Sequence, residues 1–509
     1  MAKRKLEIIV LYQNLGEARA YYARSPAPPL SGILLAGLTP DLVDVEVRHE
    51  MVRPIDYDSD ADYVALSFMD FCAPHAYEVA RRFRARGKTV IAGGKYPSTF
   101  PHLVMPHVDC VVAGEADYVW PRVVEDLVAG RLRRLYQAPP SPTLERIPPP
   151  RYDLVESRYA VAVVTEATRG CPFRCTYCQL NITPAAHRCR PIDDVIRDLT
   201  ATARLPLPRR KLAMLYDNNL GGNMGYAKEL LQEIAKLKLW ALGTQFTLNC
   251  LDDPEFVDLL SAANCRMAFL GMESLHEPSL KAVRKRHNKV AEYRDKYQLL
   301  RERGILTFSG VMLSLDEDTP EYYAALPQRL EEVDPSAIFL SIAIPIPGTP
   351  FQRDLEREGR IFDHDLAHYE GDHVVFHAKR VTPAQVIATR KALMRSFYSW
   401  RNIARRWWRL VRASVRAGRD RRRWLGIPLI TFVLFQLSRF QRYHAERRVY
   451  PSRAPEVGGG RLAPQRGLGR MEPAVPPEPP FAVLRHPQRA VQVHPPRLGG
   501  EQGGRRREQ

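Results

Sequence analysis

Short runs rich in apolar and branched residues recur through the first 136 residues, each with the length of a strand. They are Lys5 to Tyr12, Val43 to Arg48, Tyr63 to Phe68, Thr89 to Ala92 and Cys110 to Ala113. Between most of them, apolar residues fall three and four apart. His75 to Arg86 is the clearest case, with Ala76, Val79, Ala80 and Phe83 on one face and arginines on the other. Strands alternating with helices predict a doubly wound parallel sheet, whose ligand crevice lies beyond the carboxyl ends of the strands. At those ends stand Ser67 to Asp70, Gly93-Gly94 and Gly114-Glu115. Glycines there let backbone approach a flat or phosphorylated ligand, although ordinary tight turns use them equally well.

The same alternation restarts at Ala160. Strands are predicted at Ala160 to Glu166, Lys211 to Tyr216, Leu242 to Asn249, Arg266 to Gly271, Ile305 to Leu313 and Ser336 to Ile344. The helices between them include Ile192 to Arg204, Tyr226 to Leu239, Pro254 to Ala263, Val290 to Arg303 and Pro320 to Val333. Six such units predict a partial parallel barrel with helices outside and chemistry on the carboxyl-end loops. Residues 137–157 hold Pro139, Pro140, Pro142, Pro148, Pro149 and Pro150, which rule out a regular helix and make a stiff linker.

Composition changes this picture in one place. The net charge of +18 resembles a nucleic-acid footprint until it is located: residues 401–509 hold 24 Arg, no Lys and 7 acidic residues, leaving the first 400 close to neutral. From Arg401 to Arg448 the arginines interleave with Trp407, Trp408, Trp424, Phe432, Phe435 and Phe440 around a short apolar run, Leu425 to Leu437. That run is too short to span a membrane. Arginine with tryptophan predicts either an interfacial helix on anionic lipid or an amphipathic helix packed on the body with a solvated basic face. Nucleic acid is the weaker expectation. Thr382-Pro383 is expected to start a helix reaching Arg409, and residues 451–509, rich in Pro, Gly and Arg, are expected to be disordered. Eight cysteines are too few for a disulfide framework in 509 residues, and Met1 to Lys5 runs straight into an apolar strand. A cytoplasmic location is expected, with peripheral contact at the inner membrane surface through residues 401–450.

The candidate chemistry sits just after the first strand of the second set. Arg169-Gly170-Cys171-Pro172-Phe173-Arg174-Cys175-Thr176-Tyr177-Cys178 places three cysteines at the spacing C-x3-C-x2-C. Zinc would require a fourth ligand, for which His187 and Cys189 are candidates. A 4Fe-4S cluster takes one thiolate per iron, so three thiolates leave one iron open.

The spacing, the preceding Arg-Gly and Tyr177 before the last cysteine resemble the signature of the radical S-adenosylmethionine (SAM) enzymes. The order of Ile91 to Gly94, Val112 to Ala116 and Trp120-Pro121, followed by Ile147 to Asp153, resembles the cobalamin-binding subfamily of that family. The resemblance implies an α/β chain. Residues 1–136 form a Rossmann-like cobalamin-binding domain, 137–157 the linker and 158–350 a TIM-like (β/α)6 radical SAM core. Residues 351–400 are its cap, and 401–450 a basic helical segment before the tail. It implies a 4Fe-4S cluster on Cys171, Cys175 and Cys178. It also implies SAM near Tyr177, Asp217, Asn218, Glu273 and Ser274, and cobalamin near Ser67, Gly93, Gly94, Gly114 and Glu115.

For Asp217, Asn218, Glu273 and Ser274 a surface or capping role stays open. The Asp-x-His-x-x-Gly motif that supplies a cobalt-ligating histidine in classical cobalamin domains is absent, the post-strand loop being Asn14-Leu15-Gly16-Glu17; members of the resembled subfamily often lack it, so cobalamin would bind without a protein imidazole. The implied chemistry is one-electron reduction of SAM to a 5′-deoxyadenosyl radical, which takes hydrogen from an unactivated carbon of a small or lipid-like substrate. Methylation follows, with electrons from an external one-electron reductant. An oxidative cyclase with the same cofactors and a non-catalytic metal-binding scaffold at the membrane are the alternatives.

Overall fold

The computed structural model describes residues 3–12, 27–139, 143–182, 186–202, 205–207 and 209–416, with isolated positions 427, 431, 434, 435 and 438. Loop 14–17 and the tail 451–509 lie outside the described residues, which all fall within one unit, Met1–Ala454.

The first sheet contains β1 (Arg4–Val10), β2 (Val43–His49), β3 (Tyr63–Ser67), β4 (Thr89–Gly93), β5 (Cys110–Ala113) and β6 (Leu135–Gln137). Its order is β2-β1-β3-β4-β5-β6, every neighbouring pair parallel, so the winding reverses between β1 and β3. Five strands fall on the expected segments. The sixth was not expected: it has three residues, of which only Tyr136 is buried, so no hydrophobic run marks it. Helix α1 (Leu30–Leu38) packs on one side of the sheet. On the other, α2 (Ala73–Arg84) buries Ala76, Val79, Ala80 and Phe83, the face expected from their spacing.

The second sheet starts with β7 (Val163–Thr165). A two-residue hairpin, β8 (Thr168–Arg169) against β9 (Arg188–Cys189), interrupts it. Then come β10 (Leu212–Leu215), β11 (Ala241–Phe246), β12 (Cys265–Glu273), β13 (Leu306–Leu313) and β14 (Ala337–Ile342). The order β7-β10-β11-β12-β13-β14 is sequential and parallel throughout, the winding of a partial barrel. The crossover helices include α3 (Ile192–Thr200), α4 (Met224–Lys236), α5 (Pro254–Ala262), α6 (Tyr293–Glu302) and α7 (Pro320–Val333). Helix α8 (Pro350–Arg357) follows the last strand.

The helix expected from Thr382 to Arg409 is two helices, α9 (Pro383–Phe397) and α10 (Trp400–Arg416). Thr382 and Gln385 form a reciprocal capping box at the start of the first. The break falls at Tyr398, whose hydroxyl accepts from Ile338 N–H at 2.9 Å and donates to Ile338 C=O at 2.6 Å in β14. Ser399 then restarts the helix, its hydroxyl accepting from Asn402 N–H at 3.4 Å.

One glycine in the first sheet is fixed by close approach. Gly94 has φ 107°, and a Cβ there would lie 2.6 Å from the Phe68 carbonyl oxygen and 2.8 Å from its nitrogen. Gly94→Ala therefore combines a conformation reserved for glycine with a backbone overlap and costs on the order of 2 kcal/mol. The check is the urea unfolding midpoint of the full chain. A lower midpoint is expected; an unchanged one would show that the β3 and β4 termini separate freely.

Candidate functional site

The cysteine loop hangs between β8 and β9, and Gly170 lets the two sides of that hairpin approach. Its φ is 89°, and a Cβ would meet the Ala186 carbonyl oxygen at 2.9 Å, so the Arg-Gly before the first cysteine has a backbone reason. The residues after β10 hold the loop's entry. Asp217 accepts from the backbone N–H of Ala167 at 2.9 Å and of Thr168 at 2.5 Å, and from the Thr168 hydroxyl at 2.9 Å. Asn218 accepts from Gly170 N–H at 3.1 Å. The Asn219 amide lies 3.9 Å from the Cys171 sulfur, while its oxygen accepts from Thr247 N–H at 3.2 Å. All three side chains thus address the loop or the next strand end. Asp217 is buried and its second oxygen has no partner among the described residues; burial pushes its carboxyl up to about 7 against the three donors.

The exit side is tied down by main chain. Thr176 N–H donates to Val283 C=O, Phe351 N–H to Thr176 C=O, and Cys178 N–H to Cys175 C=O, each at 3.1 Å. Phe173 stacks on His287 with ring centres 3.6 Å apart. Cys175 is buried and Cys171 and Cys178 half-buried. Burial pushes the Cys175 thiol up to about 11, with the Lys285 ammonium pulling the other way and the Cys178 and Cys171 sulfurs near enough to act on it.

Lys285 is itself buried and lies 3.3 Å from Glu273 Oε1. Glu273 ends β12 at a bulge, with φ 63°. Glycines make room for this pair: a Cβ at Gly271 would sit 2.6 Å from Glu273 Oε1 and 2.9 Å from Lys285 Nζ. Tyr177 is half-buried beside Glu273, and its phenol is held well above the usual range by desolvation first and by that carboxylate second. Tyr177, Glu273, Lys285 and the thiols therefore form one cluster at the carboxyl end of the second sheet. Ser274 lies just outside it. Fully buried, its hydroxyl bonds the Tyr322 hydroxyl and accepts from His276 N–H, each at 3.1 Å.

Loops at the carboxyl ends of both sheets meet at the cysteine loop. Gln179, next to Cys178, donates to Asp70 at 2.7 Å. The other Asp70 oxygen is buried without a partner among the described residues, and burial pushes this carboxyl up to about 6. Arg169 pairs with Asp117, its Nη2 at 2.9 Å, and with Glu166 at 2.5 Å. Arg188 grips Glu115 at 2.5 and 2.9 Å, so that carboxylate is engaged across the two sheets. Gly348, with φ 85°, brings the segment after β14 against Ile182 and Phe100. On the first sheet, the Ser67 carbonyl accepts from Leu11 N–H at 3.0 Å, and Gly114, φ 94°, donates its N–H to the Ser98 hydroxyl at 2.9 Å. Gly93 is open: the nearest atom to a Cβ there is 3.7 Å away. Ser67, Gly93, Gly94 and Gly114 thus line the carboxyl edge of β3, β4 and β5. His75, after β3, is 2.7 Å from Glu50.

Among the described residues no three His, Cys, Asp or Glu side chains converge on a single metal ion. His187 contacts the Asn219 carbonyl oxygen at 3.1 Å, and Cys189 lies in β9. A cluster asks something different of three thiolates, each going to its own iron, and soft sulfur donors on one loop beside a buried ammonium suit an anionic iron-sulfur group.

Residues 165–326 match the family model of the radical SAM superfamily, a span that includes all three cysteines, Asp217, Glu273 and Lys285. The chain carries a radical SAM domain. Bacteriochlorophyllide d C-8(2)-methyltransferase of Chlorobaculum tepidum is 28% identical over 388 residues, covering 73% of this chain and 85% of the relative. The C-12(1)-methyltransferase of the same organism is 26% identical over 392 residues, covering 74% and 84%. Among solved structures, the radical SAM methyltransferase TsrM from Kitasatospora setae, with cobalamin and a 4Fe-4S cluster bound, aligns with a TM-score of 0.57 at 17% identity. The alignment covers 77% of this chain and 89% of that one. At that identity the likeness establishes the fold, in which a Rossmann-like sheet precedes the radical SAM domain.

Sequence reasoning missed Lys285, Gln179, Asp117 and Arg188, and placed Asp70 at a strand end without its bond to the cysteine loop. Lys285 is one of three consecutive cations, Arg284-Lys285-Arg286, a run that reads as solvated surface.

Proposed function

We propose that this chain is a cobalamin-dependent radical SAM methyltransferase acting on an unactivated carbon of a small or lipid-like substrate. The observation that carries the proposal is the position of the cysteine loop. It stands at the carboxyl end of a partial barrel and is bridged by Asp70–Gln179, Asp117–Arg169 and Glu115–Arg188 to the carboxyl end of a doubly wound sheet. Methyltransferase relatives that align over most of this chain support the reaction class.

Cys171, Cys175 and Cys178 would hold the cluster, and Tyr177 and Glu273 would border SAM. The open edge at Ser67, Gly93 and Gly114 would take the corrinoid. When bound, these groups supply a carbon-centred radical and a methyl donor, with electrons from an external one-electron reductant. The protein's own work is orientation. Asp217, Asn218 and Asn219 fix the loop's entry, Lys285 places a fixed positive charge beside the thiolates, and the bridges set the distance between the two edges.

Anaerobic reconstitution with iron, sulfide and hydroxocobalamin, followed by metal and corrinoid analysis, tests this reading. About four irons per chain are expected, with one corrinoid surviving gel filtration. A chain that retains iron but releases all corrinoid would contradict the cobalamin assignment.

A further inference from the structure

The helix α10 carries two faces of different character. Ile403, Arg406, Leu410 and Ser414 are buried against the barrel. Leu410 packs with Leu306 and Ala337 at the amino ends of β13 and β14, and with Leu434. Gly304, just before β13, has no room for a Cβ because Ser414 Oγ would lie 2.7 Å away. Arg409 pairs with Asp334 at 2.8 Å and Arg405 with Glu331 at 3.5 Å, both ahead of β14.

The opposite face presents Arg401, Ala404, Trp408, Arg412 and Val415, residues three and four apart and all exposed. Trp408 is 59% exposed, and beside it Trp400, 58% exposed, stacks on Phe435, 45% exposed. The helix has six arginines and no acidic residue. Large aromatic side chains left in water among cations are a costly arrangement for a solvated surface and a fitting one for the boundary between anionic headgroups and acyl chains. Among the described residues no helix is long and apolar enough to cross a membrane.

We propose that this face of α10 docks on an anionic lipid surface, and that it does so at the end of the barrel away from the chemistry. The strand ends under α10 are amino ends, while the thiols, Asp217 and Glu273 stand at carboxyl ends. Lipid contact therefore anchors the chain and does not open into the site.

The test is co-sedimentation of the full chain with phosphatidylcholine vesicles, plain or containing phosphatidylglycerol, near 0.1 M salt, where screening over about 10 Å leaves close contacts intact. Binding to the anionic vesicles alone is expected. Trp408→Ala and, separately, Arg412→Glu are expected to weaken it roughly tenfold, while 5′-deoxyadenosine formation without vesicles stays unchanged. Several results would overturn the proposal: no binding to anionic vesicles, binding by both variants as tight as that of the unaltered chain, or capture of a single-stranded RNA oligonucleotide in place of vesicles. A rate of 5′-deoxyadenosine formation that depends on the vesicles would overturn the separation of anchor and site.

Discussion

Cys175→Ala yields a folded chain that retains little iron and forms no 5′-deoxyadenosine above the enzyme-free level when SAM and a reductant are supplied. Cys175 is the most buried of the three thiols, and its carbonyl accepts from Cys178 N–H and from the Asn181 amide, so the side chain can be shortened without disturbing the turn. Its thiol is pushed up to about 11 by burial, and a ligating thiolate must lose that proton, so cluster binding and deprotonation are coupled at this position. Iron content and product formation should fall together. A variant with full iron content and normal product would mean that the loop does not carry the cluster.

Arg169→Met should be the most damaging change outside the thiols. The guanidinium is mostly buried, as are its partners Asp117 and Glu166, and it links the loop after β5 to the first residues of the cysteine loop. Removing one member of a buried ion pair leaves charge behind without compensation and costs about 3–5 kcal/mol. Two carboxylates lose their cation here, so the upper part of that range is expected. Urea unfolding measures the loss, and Asp117→Asn in the same chain should recover part of it, because the stranded charge is then gone. The double variant should still assemble its cluster poorly, since the loop has lost its tether. Stability unchanged in Arg169→Met would show that the two sheets are held by other contacts.

Most strands were legible because both sheets are parallel and their inner strands are buried on both faces, which leaves almost uninterrupted apolar runs; β2, at the sheet edge, alternates Val with charged residues instead. Where neither pattern holds, the reading fails. β6 buries one residue, and the turn at Tyr398 is set by a hydrogen bond to Ile338, sixty positions earlier. At the site, the polar residues after each strand could be listed but not aimed. Asp217 and Asn218 present acceptors that suit a ligand and backbone N–H groups equally well, and what decides is the arrival of residues 167–170 from the neighbouring strand. Ser274 and Glu115 follow the same logic, engaged by Tyr322 and Arg188 respectively. Ser314, after β13, takes φ 72°, the left-handed region that favours glycine, and nothing in its residue type announces that backbone. Lys285 could not be told from its exposed neighbours Arg284 and Arg286, because no local pattern marks which cation in a run turns inward. Sequence identifies which chemistry is available at a strand end; the direction it points is decided by tertiary partners.

The central claim is that the radical made at the cysteine loop leads to a methyl group on carbon. It is tested most directly by feeding methyl-labelled methionine to cells that express either this chain or its Cys175→Ala variant, and comparing their labelled metabolites. At least one small or lipid-like compound is expected to carry the intact labelled methyl on carbon in the first and to lack it in the second. Identical labelling in the two, with 5′-deoxyadenosine still formed by the unaltered chain, would contradict methyl transfer while leaving the radical chemistry in place.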